Sequence, residues 1–390
     1  MKAADNAQAA SVGTIAREWA RIGVTGFGGP PAHVALLRRL VVERQGWLDA
    51  REFEDANAAC GLLPGPASTQ LAIFCAYRVG GPLGAIVGGL GFVVPAVVLV
   101  LALAAVFLAH SPPLWVRGAG AGAGAAVGAV ALHAARGLLG PSLARVRGLR
   151  AREVAWLFYL LAGAAGALLV GPFLVFVLLG CGMFELARRQ WPSDVLSAQG
   201  GFLAALAPLA VTTGGFGALA WTAIKIGALS YGGGFVIVPL MQGDAVHTYH
   251  WMSNSQFLNA VALGQITPGP VVATIAAVGY AAHGIAGGLY ASAIAFTPSF
   301  SFILLGGKRF ERLRGNAHAR AFLDGAGPAA IGAILGAAVS LALTLHEAWQ
   351  FGVLAAAALA LLALRRGIVA TLLAAAAVGI VAALVGAPLP

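Results

Sequence analysis

Two stretches of this chain, Val79 to Ala109 and Val154 to Phe184, contain no charged side chain. Each is longer than the roughly 20 apolar residues that carry a helix across a bilayer. Only 10% of the chain is charged and its mean hydropathy is +0.87, whereas a soluble domain carries about 25% charged residues. An ordinary cytosolic enzyme and a disordered chain are therefore excluded. At roughly 30–40 residues for each segment and loop, the 390 residues allow about ten membrane segments. The class is an all-α polytopic membrane protein.

The balance of 24 Lys and Arg against 14 Asp and Glu is basic. In a soluble protein that excess suggests nucleic acid. In a membrane protein it reflects cytoplasmic loops that retain Lys and Arg, so no nucleic-acid partner is expected, and an anionic solute is compatible. Cys60, Cys75 and Cys181 are far apart and form no CxxC, so neither a disulfide framework nor a zinc site is expected. His247 and His250 have metal-compatible spacing but no third ligand nearby. No phosphate loop, HExxH or GxSxG is present. The expectation is a non-enzyme without cofactor or metal. Met1 to Ala10 is polar and lacks the apolar core of a cleavable signal peptide.

The chain repeats itself. Aligned without gaps, residue n with n+204 over residues 21–92, IGVTGFGGPPAHVALLRR falls on IGALSYGGGFVIVPLMQG. Trp47 meets Trp251, Phe53 meets Phe257, and Pro64-Gly65-Pro66 meets Pro268-Gly269-Pro270. Gly80 falls on Gly284, Gly84 on Gly288 and Phe92 on Phe296. Composition does not place Trp on Trp, so duplication is the reading. Residues 1–190 form the first repeat, 191–204 a linker, and 205–390 the second.

Basic residues orient the copies. Arg38, Arg39, Arg44 and Arg51 have no basic counterparts in residues 241–258. The loop at Arg117 matches one holding Lys308, Arg309, Arg312 and Arg314, with Arg320 just beyond. The stretch from Arg136 to Arg152 matches Thr344 to Glu347, and Val170-Gly171-Pro172 matches Arg365-Arg366. The basic member alternates between halves. Because Lys and Arg stay inside, the two halves are expected in inverted topology, as in many secondary transporters. The count is eight or nine spans plus two re-entrant hairpins in the plasma membrane, with basic loops cytoplasmic. Arg17, Glu18 and Arg21 make residues 10–22 look interfacial.

Each hairpin is a helical stretch broken at Pro-Gly-Pro, and such a break cannot continue a helix. Broken backbone at membrane depth survives only when buried in protein or lining a cavity. Pro66 and Pro270 suit the first turn of the helix that follows. Helix N-termini hold anions through free amides and the dipole. Ser68, Thr69, Gln70, Gln265, Thr267 and Thr274 add polar groups there. Gly28-Gly29 and Gly232-Gly233-Gly234 offer nest-like amides. Small residues also gather at close helix crossings, but the same break occurring twice favours a site. Arg78 and Lys225 are candidate anion ligands because an intramembrane cation suggests function. His33 is a candidate donor or proton carrier. Asp55 and Asp244 are candidate proton-coupling groups. GAGAGAG from Gly118 to Gly124 lies within a span and reads as a packing stripe.

FGGPPAHVALLRR, WLDAREFEDANAACGLLPGPASTQLA and GGLGFVVPA in the first half resemble the chromate ion transporter family in its long two-domain form. GALSYGGGFVIVPLM, ALGQITPGPVVATIAAVGY and FTPSF carry the same resemblance in the second. The resemblance implies a secondary transporter, an antiporter exporting chromate with coupling to the proton gradient. Sulfate or another divalent oxyanion is the alternative substrate. A channel or scaffold is the alternative class. The expected partners are the oxyanion, the lipid bilayer and a second copy in a homodimer. Gly234 stands opposite Pro30 and Ile237 opposite His33, so the two half-sites differ chemically.

Overall fold

The computed structural model describes residues 10–61, 63, 65–109, 111–189, 214–230, 234–306 and 317–390. Among these every regular element is helical. The first half runs α1 (Val12–Thr25), α2 (Pro30–Arg38), a π-helical turn (Arg39–Arg44), α3 (Ala50–Cys60), α4 (Ala67–Phe107), α5 (Leu114–Ala144), α6 (Arg150–Leu169) and α7 (Leu174–Arg189). The second half runs α8 (Gly215–Leu229), α9 (Ile237–Gln242), a π-helical turn (Gly243–Thr248), α10 (Asn254–Ile266), a 3-10 turn (Val271–Thr274), α11 (Ile275–Gly306), α12 (Ala317–Leu343), α13 (Ala348–Ala358) and α14 (Ile368–Leu384).

The order of elements repeats as the sequence does. The π turn appears twice, 204 residues apart at both of its ends. Asp49 caps α3 by accepting from the Glu52 amide, and its counterpart Ser253 caps α10 through the Gln256 amide. Short polar side chains at this position satisfy amides that the helix leaves free.

Five described helices are long and apolar enough to cross a membrane, namely Ala67–Phe107, Leu114–Ala144, Arg150–Leu169, Val271–Gly306 and Ala317–Leu343. Gly215–Leu229, Ala348–Ala363 and Ile368–Leu384 are shorter apolar helices. The chain is a multi-pass membrane protein. The basic run from Lys308 to Arg314 and the expected linker lie outside the described residues.

α4 and α11 are each kinked where the sequence ends a hairpin. Gly81 (φ 64°, ψ −158°) and Gly284 (φ 63°, ψ −156°) take the same left-handed backbone, which glycine alone adopts freely. Here the register differs from the gapless alignment. Gly81, rather than Gly80, corresponds to Gly284, and Pro95 then corresponds to Pro298. The cause lies upstream. The second half leaves its break through four residues of 3-10 helix, while the first begins as α-helix at once. A 3-10 turn rises about 2.0 Å per residue against about 1.5 Å in an α-helix. Four residues there span what five span in the first half.

α1 packs along α4, and α8 along α11. α5 lies against α13 and α14, while α12 lies against α6 and α7. Each half therefore inserts a helix into the last hairpin of the other. A methyl on Gly89 would come 2.4 Å from the Phe300 ring, and one on Gly288 would come 2.3 Å from Leu101. Early residues of the stretch after the α4 kink thus meet late residues of the stretch after the α11 kink, and these two outer spans run antiparallel. In α5, Gly118 and Gly122 face Gly379 and Ala375 of α14, while Gly120 and Gly124 face Asn259 and Leu258 of α10. The glycine stripe lets both neighbours approach closely.

Candidate functional site

Each Pro-Gly-Pro break docks into the opposite half. A methyl on Gly65 (φ 117°) would lie 3.1 Å from the Gly227 carbonyl oxygen and 3.5 Å from Ser299 Oγ. One on Gly269 (φ 96°) would lie 2.7 Å from Ala96 Cβ and 3.5 Å from the Gly23 oxygen. Gly227 is the counterpart of Gly23, and Ser299 of Ala96. Each break thus enters the slot between the first helix and the outer span of the other half. The contact is reciprocal. Any added side chain would strain the positive φ and close the slot. Pro64 lies outside the described residues.

The two breaks are wired together through His33. This fully buried ring carries Nδ1 3.3 Å from Ser68 Oγ and Nε2 3.0 Å from the Gly26 carbonyl oxygen. The same carbonyl accepts the Gly269 amide at 3.1 Å. A carbonyl only accepts, so Nε2 donates to Gly26, and a neutral His33 receives the Ser68 hydroxyl proton at Nδ1. Phe92 meets the imidazole edge-on at 5.0 Å. One chain of polar contacts therefore runs from the helix start after Pro66 to the glycine of the second break.

Lys225 and Asp244 form a buried ion pair. Lys225 is 6% exposed and Asp244 1%. Lys225 Nζ lies 2.8 Å from Asp244 Oδ1 and 2.6 Å from Oδ2, and Thr222 Oγ1 donates to Oδ2 at 2.7 Å. Trp221 presents its ring 5.2 Å from the ammonium. α8 carries the base and the following π turn the acid. The first half reverses these signs. Buried Glu18 on α1 meets Arg44 Nη2 of the equivalent π turn at 2.5 Å, with Arg17 at 3.6 Å. Removing two charges from water costs several kcal/mol for each ion unless pairing and hydrogen bonds offset it. In each half an ion pair links the first helix to its π turn, at different positions of the repeat, and only the Lys225–Asp244 pair is buried on both sides, Arg44 being half-exposed.

The polar residues of the breaks divide. Thr274 Oγ1 donates to the Val271 carbonyl at 2.7 Å and Thr267 Oγ1 to the Gly264 carbonyl at 3.3 Å. Gln70 extends its amide nitrogen to within 2.8 Å of a methyl placed on Gly65. Thr69 Oγ1, Ser230 Oγ, Gln265 Nε2 and Ser299 Oγ are buried without a hydrogen-bond partner among the described residues. Orphaned buried donors are rare enough that each requires an explanation. Here they cluster in sequence around the two breaks and the spans that hold them.

Other residues stand apart. Arg78 is half-exposed and ion-paired with Glu52, which ties the end of the first hairpin to its beginning. Asp55 is partly exposed on α3. Gly28 (φ 104°) and Gly29 (φ 73°) turn the chain into α2 near the surface, and the buried glycine that touches the opposite break is Gly26. Gly234 (φ 90°) abuts Val271, one residue past the second break. Gly232 and Gly233 lie outside the described residues. Sequence reading did not single out Gly26, Thr222, Ser230 or Ser299, and it placed Glu18 at an interface. A carboxylate on the apolar face of α1 beside Ile15, Trp19 and Ile22 was the available signal for Glu18.

A family model described as "Chromate transporter" matches this chain twice, over residues 13–186 and 217–380. A chromate transport protein of Cupriavidus metallidurans is 32% identical over 330 residues, covering 83% of this chain and 80% of that protein. A chromate transport protein of Pseudomonas aeruginosa is 28% identical over 343 residues, covering 83% and 79%. An uncharacterised transporter of Methanocaldococcus jannaschii is 29% identical over 315 residues, covering 76% of each. No solved structure matches.

Proposed function

The chain belongs to the chromate transporter family, and from that premise we propose that it is a secondary transporter exporting chromate, with its two halves in inverted topology. The observation that carries the reading is the reciprocal docking of Gly65 and Gly269. Two helix starts, at Ala67 and Val271, are thereby brought to the interface between the halves. First-turn amides at such starts have no partner within the helix and attract anions. The antiparallel crossing of the outer spans supports opposite orientation of the copies. Residues 1–190 and 205–390 are the two repeats, and each lends a helix to the packing of the other.

The substrate oxyanion sits between the breaks. Its oxygens are held by the amides after Pro66 and Pro270 and by the free hydroxyls of Thr69, Ser230 and Ser299. Gln70 and Gln265 contribute amide donors. His33 sets the distance between the two breaks.

Lys225 and Asp244 couple transport to protons. A lysine neutralised by a carboxylate has little to offer an anion. Protonation of Asp244 leaves its hydrogen bond to Thr222 replaceable and releases the ammonium charge. Proton and anion therefore leave together, which is equivalent to exchanging the anion for hydroxide. One proton with one dianion carries one net negative charge outward, which an inside-negative potential favours by about 2.3 kcal/mol per 100 mV. An inward pH gradient opposes the proton's exit, so the electrical potential drives export and the pH gradient modulates it.

Everted membrane vesicles test the reading. Chromate should accumulate inside them, respond to an imposed pH gradient and be inhibited by excess sulfate. Absence of accumulation under every gradient rejects the proposal, and sulfate accumulation without chromate would move it to the alternative oxyanion.

A further inference from the structure

A cavity of about 620 Å³ opens beside the N-terminal end of α10. Arg117, Ser253, Ser255, Gln256, Asn259 and His346 supply its polar lining. No Asp or Glu lines it among the described residues, and Arg117 has no ion pair among them. Among the described residues Arg117 is the one Lys or Arg in the wall, which also includes Pro390, and the other polar side chains there are hydrogen-bonding groups.

The duplication supplies a control. The positions of Ser253, Gln256, Leu258 and Asn259 are occupied in the first half by Asp49, Glu52, Glu54 and Asp55. One module thus carries four carboxylates where its copy carries none. The capping at this end is unchanged in geometry, since Ser253 does for α10 what Asp49 does for α3. Helix capping alone does not explain the loss of charge. Neither does packing. Asn259 lies flat against α5, where a methyl on Gly120 would come within 2.8 Å of all three atoms of its amide, and an aspartate has nearly the same shape. What distinguishes this mouth from its copy is the loss of charges of both signs: Ser255 stands where the first half has Arg51, and the carboxylates that pair with Arg38 and Arg78 there have uncharged counterparts here.

α10 leads from the cavity to Thr267-Pro268-Gly269-Pro270. Its 13 residues span about 20 Å at 1.5 Å each. We propose that this cavity is a second oxyanion site, a vestibule in which a tetrahedral dianion exchanges part of its hydration shell for the Arg117 guanidinium and the Ser255 and Asn259 side chains. This inference rests on the reading that the chain moves an oxyanion. The first-turn amides of α10 play no part, because Ser253 and Gln256 already cap one another.

The test is the concentration dependence of chromate flux in proteoliposomes, for wild type, Arg117→Gln, Arg117→Lys and Asn259→Asp. Loss of one charge-assisted contact should raise KM roughly tenfold in Arg117→Gln with kcat retained. Arg117→Lys should recover part of the loss. Asn259→Asp, which installs the first half's carboxylate, should raise KM without altering abundance. Sulfate should compete in wild type at this step more strongly than in Arg117→Gln. Wild-type transport with an unchanged KM in both Arg117→Gln and Asn259→Asp overturns the vestibule and leaves the transport reading standing. A KM effect seen only in anionic-lipid liposomes, and absent in zwitterionic ones, assigns Arg117 to a lipid headgroup and also overturns it. A wild type that moves no oxyanion overturns both.

Discussion

His33 Nδ1 stands 3.3 Å from Ser68 Oγ, and the opposite edge of the ring reaches the Gly26 carbonyl that also holds the Gly269 amide. Removing the ring should uncouple the two breaks. His33→Ala empties a fully buried site and should cost about 2–4 kcal/mol of stability. His33→Gln keeps the volume and one donor, so abundance should be near wild type while chromate flux falls at least tenfold. Wild-type flux in the glutamine variant would show that the ring only fills space.

The Lys225–Asp244 pair gives an asymmetric set of variants. Lys225→Gln leaves a buried carboxylate unpaired and should destabilise by about 3–5 kcal/mol. Asp244→Asn removes the ionisable carboxyl and should flatten the pH dependence of transport. The double variant should recover thermal stability but not flux. Retained pH dependence in Asp244→Asn would place coupling elsewhere.

Gly65→Ala and Gly269→Ala should each cost about 1–3 kcal/mol from positive-φ strain alone. Gly269→Ala also drives a methyl towards Ala96, at 2.7 Å. Detergent melting curves and flux should both fall. Ala96→Gly combined with Gly269→Ala should recover part of the loss, because that contact is specific to this slot.

Gln45 and Tyr249 follow the two π turns at equivalent positions. Single cysteines placed there, with Cys60, Cys75 and Cys181 replaced, should react with a membrane-impermeant thiol reagent from opposite faces. Labelling of both from one face would establish parallel halves.

Much of the fold was legible because proline and glycine act locally. The breaks and kinks follow from residues that forbid continuous helix, and the duplication carried them to both halves. What the breaks touch was not legible. Gly26, Gly227 and Ser299 look like ordinary small residues in apolar helices, and only tertiary packing puts them against Gly65 or Gly269. Lys225 and Asp244 each stood out, but their pairing depends on how the π turn folds back on α8. Arg78 stood out as a basic side chain ending the first hairpin, while its partner Glu52 lies at the far end of that hairpin. The one-residue shift at the kink escaped because residue counts do not reveal a change of helix type.

That 3-10 turn has a practical consequence. The two copies are matched in physical reach and not in number of residues. A chimera that grafts Ala67–Arg78 after Pro270 should swing every downstream side chain of α11 by about 100° unless one residue is removed. With the deletion, the graft should pack, and the interchangeable part of this protein is then a length in ångströms.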